Sequence, residues 1–95
     1  MSTYLSAEEA LVNIESFKAI DVREEDEFEL GHIKGAYNAP LSELEYLLNT
    51  LDKNSKLLIY CRSGKRSQLA LKLLEEQNFK QLYHLDGGIL SWVEH

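Results

Sequence analysis

Ninety-five residues, 44% of them apolar, set the scale of one small domain with a single core and exclude an intrinsically disordered chain. A formal net charge of −6 argues against nucleic acid as the main partner, because nothing in that balance neutralises phosphates. One cysteine excludes an internal disulfide and fits a reducing compartment, and with three scattered histidines it offers no metal-ligand spacing, so neither metal nor cofactor is expected.

Met1-Ser2-Thr3-Tyr4 lacks the basic start of a secretory signal. No apolar run approaches the ~20 residues of a membrane span, so the expected location is the cytoplasm, with no membrane partner. Thr3-Tyr4-Leu5 reads as a short first strand, and Ser6-Ala7-Glu8-Glu9 as a capping box opening a helix with Ala7, Ala10, Leu11 and Ile14 on one face. Phe17 ends that segment. Ala19-Ile20-Asp21-Val22 is a short buried strand with a carboxylate at its C-terminal end, where ligands bind in open α/β sheets. The acidic run from Glu24 to Glu29 complements the dipole of a short, solvated helix, with Phe28 turned inward and Gly31 as a left-handed stop. That reading is preferred to a docking surface for a basic partner. Gly31-His32-Ile33 is a turn, and a histidine without a positioned partner reads as structural rather than as a general base.

Ala36-Tyr37-Asn38 supplies a short strand before Pro40, and Ser42-Glu43-Leu44-Glu45 a second capping box, with Leu44, Leu47, Leu48 and Leu51 at helical spacing as core. Asp52 to Ser55 is a turn by composition. Leu57-Leu58-Ile59-Tyr60 is a buried strand that runs straight into Cys61 and a basic loop, after which a helix begins near Ser67. Leu69, Ala70, Leu73 and Leu74 line one face of this helix, and Asn78 ends it in left-handed conformation. Leu82 to Leu85 is the last strand. Asp86-Gly87-Gly88 is a flexible turn without the G-x-G-x-x-G spacing of a dinucleotide site, and Ile89 to Val93 a short closing helix with Trp92 packed inward. Strands alternating with helices predict an α/β sandwich with a mostly parallel sheet.

Cys61 carries the chemistry. A loop closing onto a helix N-terminus turns several backbone N–H groups towards one point, where the helix dipole adds about half a positive charge. Such a site, with cations beside it, lowers a thiol pKa from about 8.5 into the range of about 3.5–7.5. Arg62, Lys65 and Arg66 place three cations within five residues of an acidic chain, which favours a nucleophile over a buried structural cysteine. Asp21 and Arg23 also leave a strand C-terminus and are expected beside the loop.

Cys61-Arg62-Ser63-Gly64-Lys65-Arg66-Ser67 resembles the active-site loop of rhodanese domains, the thiosulfate sulfurtransferase family. Ile20-Asp21-Val22-Arg23, Gly31-His32-Ile33-Lys34-Gly35-Ala36 and Leu85-Asp86-Gly87-Gly88 match the same family in the same order, so the resemblance covers nearly the whole chain. It implies a single rhodanese-like domain over residues 1–95: a three-layer α/β fold with a small, mostly parallel central sheet flanked by helices. It further implies a sulfurtransferase in which the Cys61 thiolate takes sulfane sulfur from thiosulfate or a persulfide donor and passes it to cyanide or a thiol. In that chemistry the N–H groups of Arg62, Ser63, Gly64, Lys65, Arg66 and Ser67 form the cradle. No general base is required, which agrees with a loop lacking histidine. The resemblance also gives Asp21 and Arg23 a supporting role through an ion pair with a loop arginine. Arg66 is expected to meet a carboxylate such as Asp21, leaving Arg62 and Lys65 for an anionic donor. For Arg23 the alternative is a pair that only fixes the strand-to-helix turn.

Two other functions fit the same residues. A persulfide relay module would exchange sulfur with protein donors and acceptors without turning over thiosulfate. Cysteine-dependent phosphatases and arsenate reductases resemble C-x5-R, whereas Arg66 gives C-x4-R and Ser67 takes the sixth position. The shorter loop is a narrower cradle, better suited to one added sulfur than to a phosphate.

Overall fold

The computed structural model describes residues 2–92. Five strands form one parallel sheet: β1 (Ser2–Leu5), β2 (Lys18–Asp21), β3 (Tyr37–Asn38), β4 (Leu57–Tyr60) and β5 (Leu82–Leu85). Their order across the sheet is β1-β5-β4-β2-β3. The helices are α1 (Ala7–Val12), α2 (Glu25–Leu30), α3 (Leu44–Leu47) and α4 (Lys65–Glu76). The mostly parallel α/β sandwich expected from the strand–helix alternation is present, with every strand pair parallel.

Central β4 is buried along its whole length, and its alternation divides the interior into two layers. Leu57, Ile59 and Cys61 point into a core with Leu44, Ala70, Leu71 and Leu74 from α3 and α4. Leu58 and Tyr60 point to the other side, against Ala7 and Ala10 of α1, with Ile89 and Trp92 packed at its edge. This alternation decides on which face of the sheet the sulfur lies.

Local rules account for most element ends. Ser6 and Glu9 form the expected capping box, at 3.1 and 2.8 Å. Asn78 adopts φ +69° beyond α4, and the N–H groups of Asn78 and Phe79 return to Glu75 O and Leu74 O, each at 3.1 Å. That is the left-handed stop expected of Asn78, with Phe79 buried against the same core.

Five expectations need correction. The box at Ser42 does not form: Leu41–Glu43 after Pro40 is a 3₁₀ turn, and the Ser42 hydroxyl donates to Glu24 Oε2 at 3.3 Å. Gly31 ends α2 at φ +152°, ψ +138°, an extended glycine conformation rather than a left-handed helical one. Phe28 is only half-buried and stacks on His32, whose exposed ring lies 3.7 Å away with Nδ1 2.8 Å from Phe28 O. In α4 the core face is Ser67, Ala70, Leu71 and Leu74, while Leu69 is exposed, because a run of apolar residues left the phase open to tertiary packing. The closing helix is a 3₁₀ one that spans Gly88–Ser91 and stops before Trp92, and the expected residue Val93 lies outside the described residues. No helix among the described residues is long and apolar enough to cross a membrane.

Candidate active site

The loop after β4 is shorter than expected, because α4 begins at Lys65 instead of near Ser67. Gly64, at φ +126°, makes the turn that a residue with a Cβ would strain, so Ser67 becomes the third residue of the helix. Its N–H is therefore one of the donors that a helix leaves without an internal partner. Cys61 Sγ fills that place. It accepts from Ser67 N–H at 3.3 Å and from Gly64 N–H at 3.1 Å, and the Ser67 hydroxyl lies 3.3 Å away.

Cys61 is only 1% exposed. Burial alone pushes a thiol pKa up, but here the hydrogen bonds from the Ser67 side chain and the backbone of Ser67, Gly64 and Ser63 outweigh it and hold the thiol below its ordinary value. Buried sulfur among converging donors is a place for an anion.

The cations do not all serve the sulfur directly. Arg66 Nη1 and Nη2 donate to Glu27 Oε1 and Oε2 at 2.7 and 3.0 Å, a bidentate pair that ties the first turn of α4 to α2. The expected partner, Asp21, is already committed: its carboxylate accepts from Arg23 N–H at 2.9 Å and from Arg23 Nη2 at 2.7 Å. Arg23 Nη2 also donates to Gly31 O at 2.6 Å. Asp21 and Arg23 thus fix the turn after β2, and the ion pair with a loop arginine falls to Glu27 instead. The acid run is accordingly not wholly solvated. Arg62, Ser63 and Lys65 are exposed at the loop mouth.

The Arg66 guanidinium holds the Glu27 carboxyl down to about 2 from 4.5. Because the pair's side chains keep 35% and 29% of their exposure, solvent screening reduces its worth to about 1 kcal/mol. A lowered folded-state pKa contributes stability that is complete above about pH 4.5 and is lost as pH falls through about 2. Urea titrations of wild type and Glu27→Gln should therefore differ at pH 6 and converge near pH 2. A difference that persists in acid would assign the effect to packing rather than to charge.

One residue of the site lies outside the loop motif. His84 is buried on β5, opposite Ile59 of β4, and its Nε2 lies 2.6 Å from Ser67 Oγ. The sequence signal for it is an inward-facing place in a buried strand next to the one that ends at the cysteine. The turn after β5 is likewise not a flexible one. Ile89 N–H and Leu90 N–H donate to Cys61 O at 2.9 Å and Arg62 O at 3.2 Å, so the Gly87-Gly88 turn clamps the base of the loop. Among the described residues no group of three or more His, Cys, Asp or Glu side chains gathers as a metal site.

Comparison with known proteins agrees with this architecture. The model of the rhodanese-like domain matches residues 6–95. Thiosulfate sulfurtransferase GlpE of Shewanella oneidensis is 34% identical over 84 residues, covering 88% of this chain and 83% of that protein. A putative sulfur carrier protein, YrkF of Bacillus subtilis, is 38% identical over 79 residues, 83% of this chain but only 43% of its own length. Among solved structures, a rhodanese-related protein of Thermoplasma volcanium superposes with a TM-score of 0.90 at 31% identity, over 95% of this chain and 89% of the other. With the family model spanning nearly every residue and the sheet order, loop and clamp described above, the chain belongs to the rhodanese-like domain family.

Proposed function

We propose that the chain is a sulfurtransferase that moves sulfane sulfur through a persulfide on Cys61. The observation that carries this reading is the convergence of Gly64 N–H, Ser67 N–H and the Ser67 hydroxyl on one buried sulfur. Relatives named as a thiosulfate sulfurtransferase and as a putative sulfur carrier support sulfur transfer as the general chemistry.

In the first step the Cys61 thiolate attacks the outer sulfur of thiosulfate. The Sγ–S bond forms, the donor's S–S bond breaks, and its electron pair leaves with sulfite. In the second, cyanide or a thiolate attacks the terminal sulfur and returns the electron pair to Cys61, as thiocyanate or a new persulfide departs. No external oxidant or reductant enters. The same donors that hold the thiolate serve the sulfur when it becomes the leaving group, which is electrostatic preorganisation around one atom. Arg62 and Lys65, exposed at the mouth, attract an anionic donor within a screening length of about 8 Å despite the acidic chain.

Hydrolysis of phosphate esters is disfavoured by one specific contact. The arginine that would grip a tetrahedral oxyanion, Arg66, spends its fork on Glu27. Steady-state assays of one preparation with thiosulfate and cyanide, with a protein persulfide donor and thiol acceptor, and with an aryl phosphate test the reading. Sulfur should move in at least one of the first two, and Cys61-dependent phosphate release should be negligible. Efficient phosphate release without sulfur transfer would overturn the proposal. Transfer only between proteins would favour the relay form of the same chemistry.

A further inference from the structure

Ser67 Oγ is a branch point with a single proton to give. It lies 3.3 Å from Cys61 Sγ, 3.0 Å from Gly64 O and 2.6 Å from His84 Nε2. If Nε2 is bare, the shortest of these contacts draws the serine proton to the imidazole and none is left for the sulfur. If Nε2 carries hydrogen, the imidazole donates to Oγ and the serine proton is left to Gly64 O or to the sulfur, of which an ionised sulfur is the stronger acceptor. We propose that His84 is a positioning residue for Cys61: its Nε2–H, donated to Ser67 Oγ, turns the serine hydroxyl onto the sulfur and holds the thiolate.

One group at the other edge of the imidazole competes with this direction. Tyr4 of β1 covers the ring with centroids 4.6 Å apart, and on the other edge Nδ1 is buried without a hydrogen-bond partner, 3.5 Å from Asp86 Oδ1. Asp86 is itself 56% exposed and so hydrated, which weakens its claim on an Nδ1 proton. Burial, against the pull of Asp86 and a backbone contact with Gly64, pushes the His84 pKa below its ordinary value, and a neutral ring has one proton to place on one of its two nitrogens. An anionic sulfur on the far side of Ser67 draws the serine proton and so selects the tautomer that carries hydrogen on Nε2. The ionisation of Cys61 and the tautomer of His84 are then two ends of one hydrogen-bond chain.

The inference rests on the reading of Cys61 as the sulfur acceptor, yet its test needs no sulfur transfer and can fail independently. The measurement is the rate of Cys61 alkylation by a neutral reagent as a function of pH. His84→Phe keeps a ring without a donor, and should raise the apparent pKa by about one unit and slow alkylation about tenfold at pH values below the wild-type pKa. His84→Gln, whose amide supplies an N–H without titrating, should remain within about threefold of wild type. An unchanged profile in His84→Phe would overturn the assignment. So would equal slowing in both variants, because packing rather than the donor would then be responsible. Should His84→Phe fail to fold, the imidazole ¹⁵N resonances of the wild-type protein decide: Nε2 protonated while Cys61 is ionised is expected, and a bare Nε2 would refute the chain.

Discussion

Gly88→Ala is expected to cost more than about 4 kcal/mol, at the extreme of single substitutions and enough to threaten folding of a small domain. The new Cβ would lie 2.5 Å from Cys61 O, 2.6 Å from Arg62 C and closer still to Arg62 O. All three are backbone atoms of the strand-to-loop junction, so no side chain can swing away to make room. Moving the turn outward would break the Ile89 N–H and Leu90 N–H bonds to those same carbonyls. The positive φ of +61° adds a smaller cost of roughly 1–2 kcal/mol. Gly35→Ala is the control, because φ is +81° there but nothing lies within 4 Å of the added methyl. It should show the conformational cost alone. At about 4–8 °C of melting temperature per kcal/mol for a domain of this size, the two variants separate clearly in a thermal scan. A Gly88→Ala melt within a few degrees of that of Gly35→Ala would mean that the turn does not clamp the loop.

Cys61→Ser should fold normally and lose sulfur transfer by on the order of 10³-fold or more. The substitution is nearly isosteric and leaves Gly64 N–H, Ser67 N–H and the Ser67 hydroxyl a partner, so little stability is at stake. A hydroxyl, however, is not ionised by a cradle that suffices for a thiol, and His84 reaches only Ser67, not residue 61. The expected pattern is an unshifted melt with turnover at background. A variant that keeps wild-type turnover would place the sulfur-accepting group elsewhere.

Residue 61 and its loop at the end of β4 are legible from one apolar run meeting one cysteine, because four consecutive strand-forming residues fix where the strand ends and the loop begins. Ser6, Glu9 and Asn78 are legible for a similar reason: capping is settled within a few residues. Contacts between distant segments decide the features that escape a linear reading. Arg66 has an acid run and an isolated aspartate to choose from, and only the packing of α4 on α2 shows that Glu27 is its partner while Asp21 turns to Arg23. Leu69 and Leu71 are equally apolar, and the start of α4 at Lys65, set by the Gly64 turn, decides which one is buried. His84 is hidden in the sequence because a histidine between Tyr83 and Leu85 looks like part of a strand. Its role emerges from the parallel register that puts it beside Ile59, on the face from which Cys61 projects.

The proposed chemistry is a covalent claim about one atom, and the intact mass of the protein after exposure to thiosulfate addresses it directly. Wild type should gain the mass of a single sulfur, lose it on addition of cyanide or a thiol, and gain none when Cys61 has first been alkylated. A wild-type protein that turns over thiosulfate while its mass never changes, or that gains sulfur with Cys61 blocked, would contradict the persulfide account.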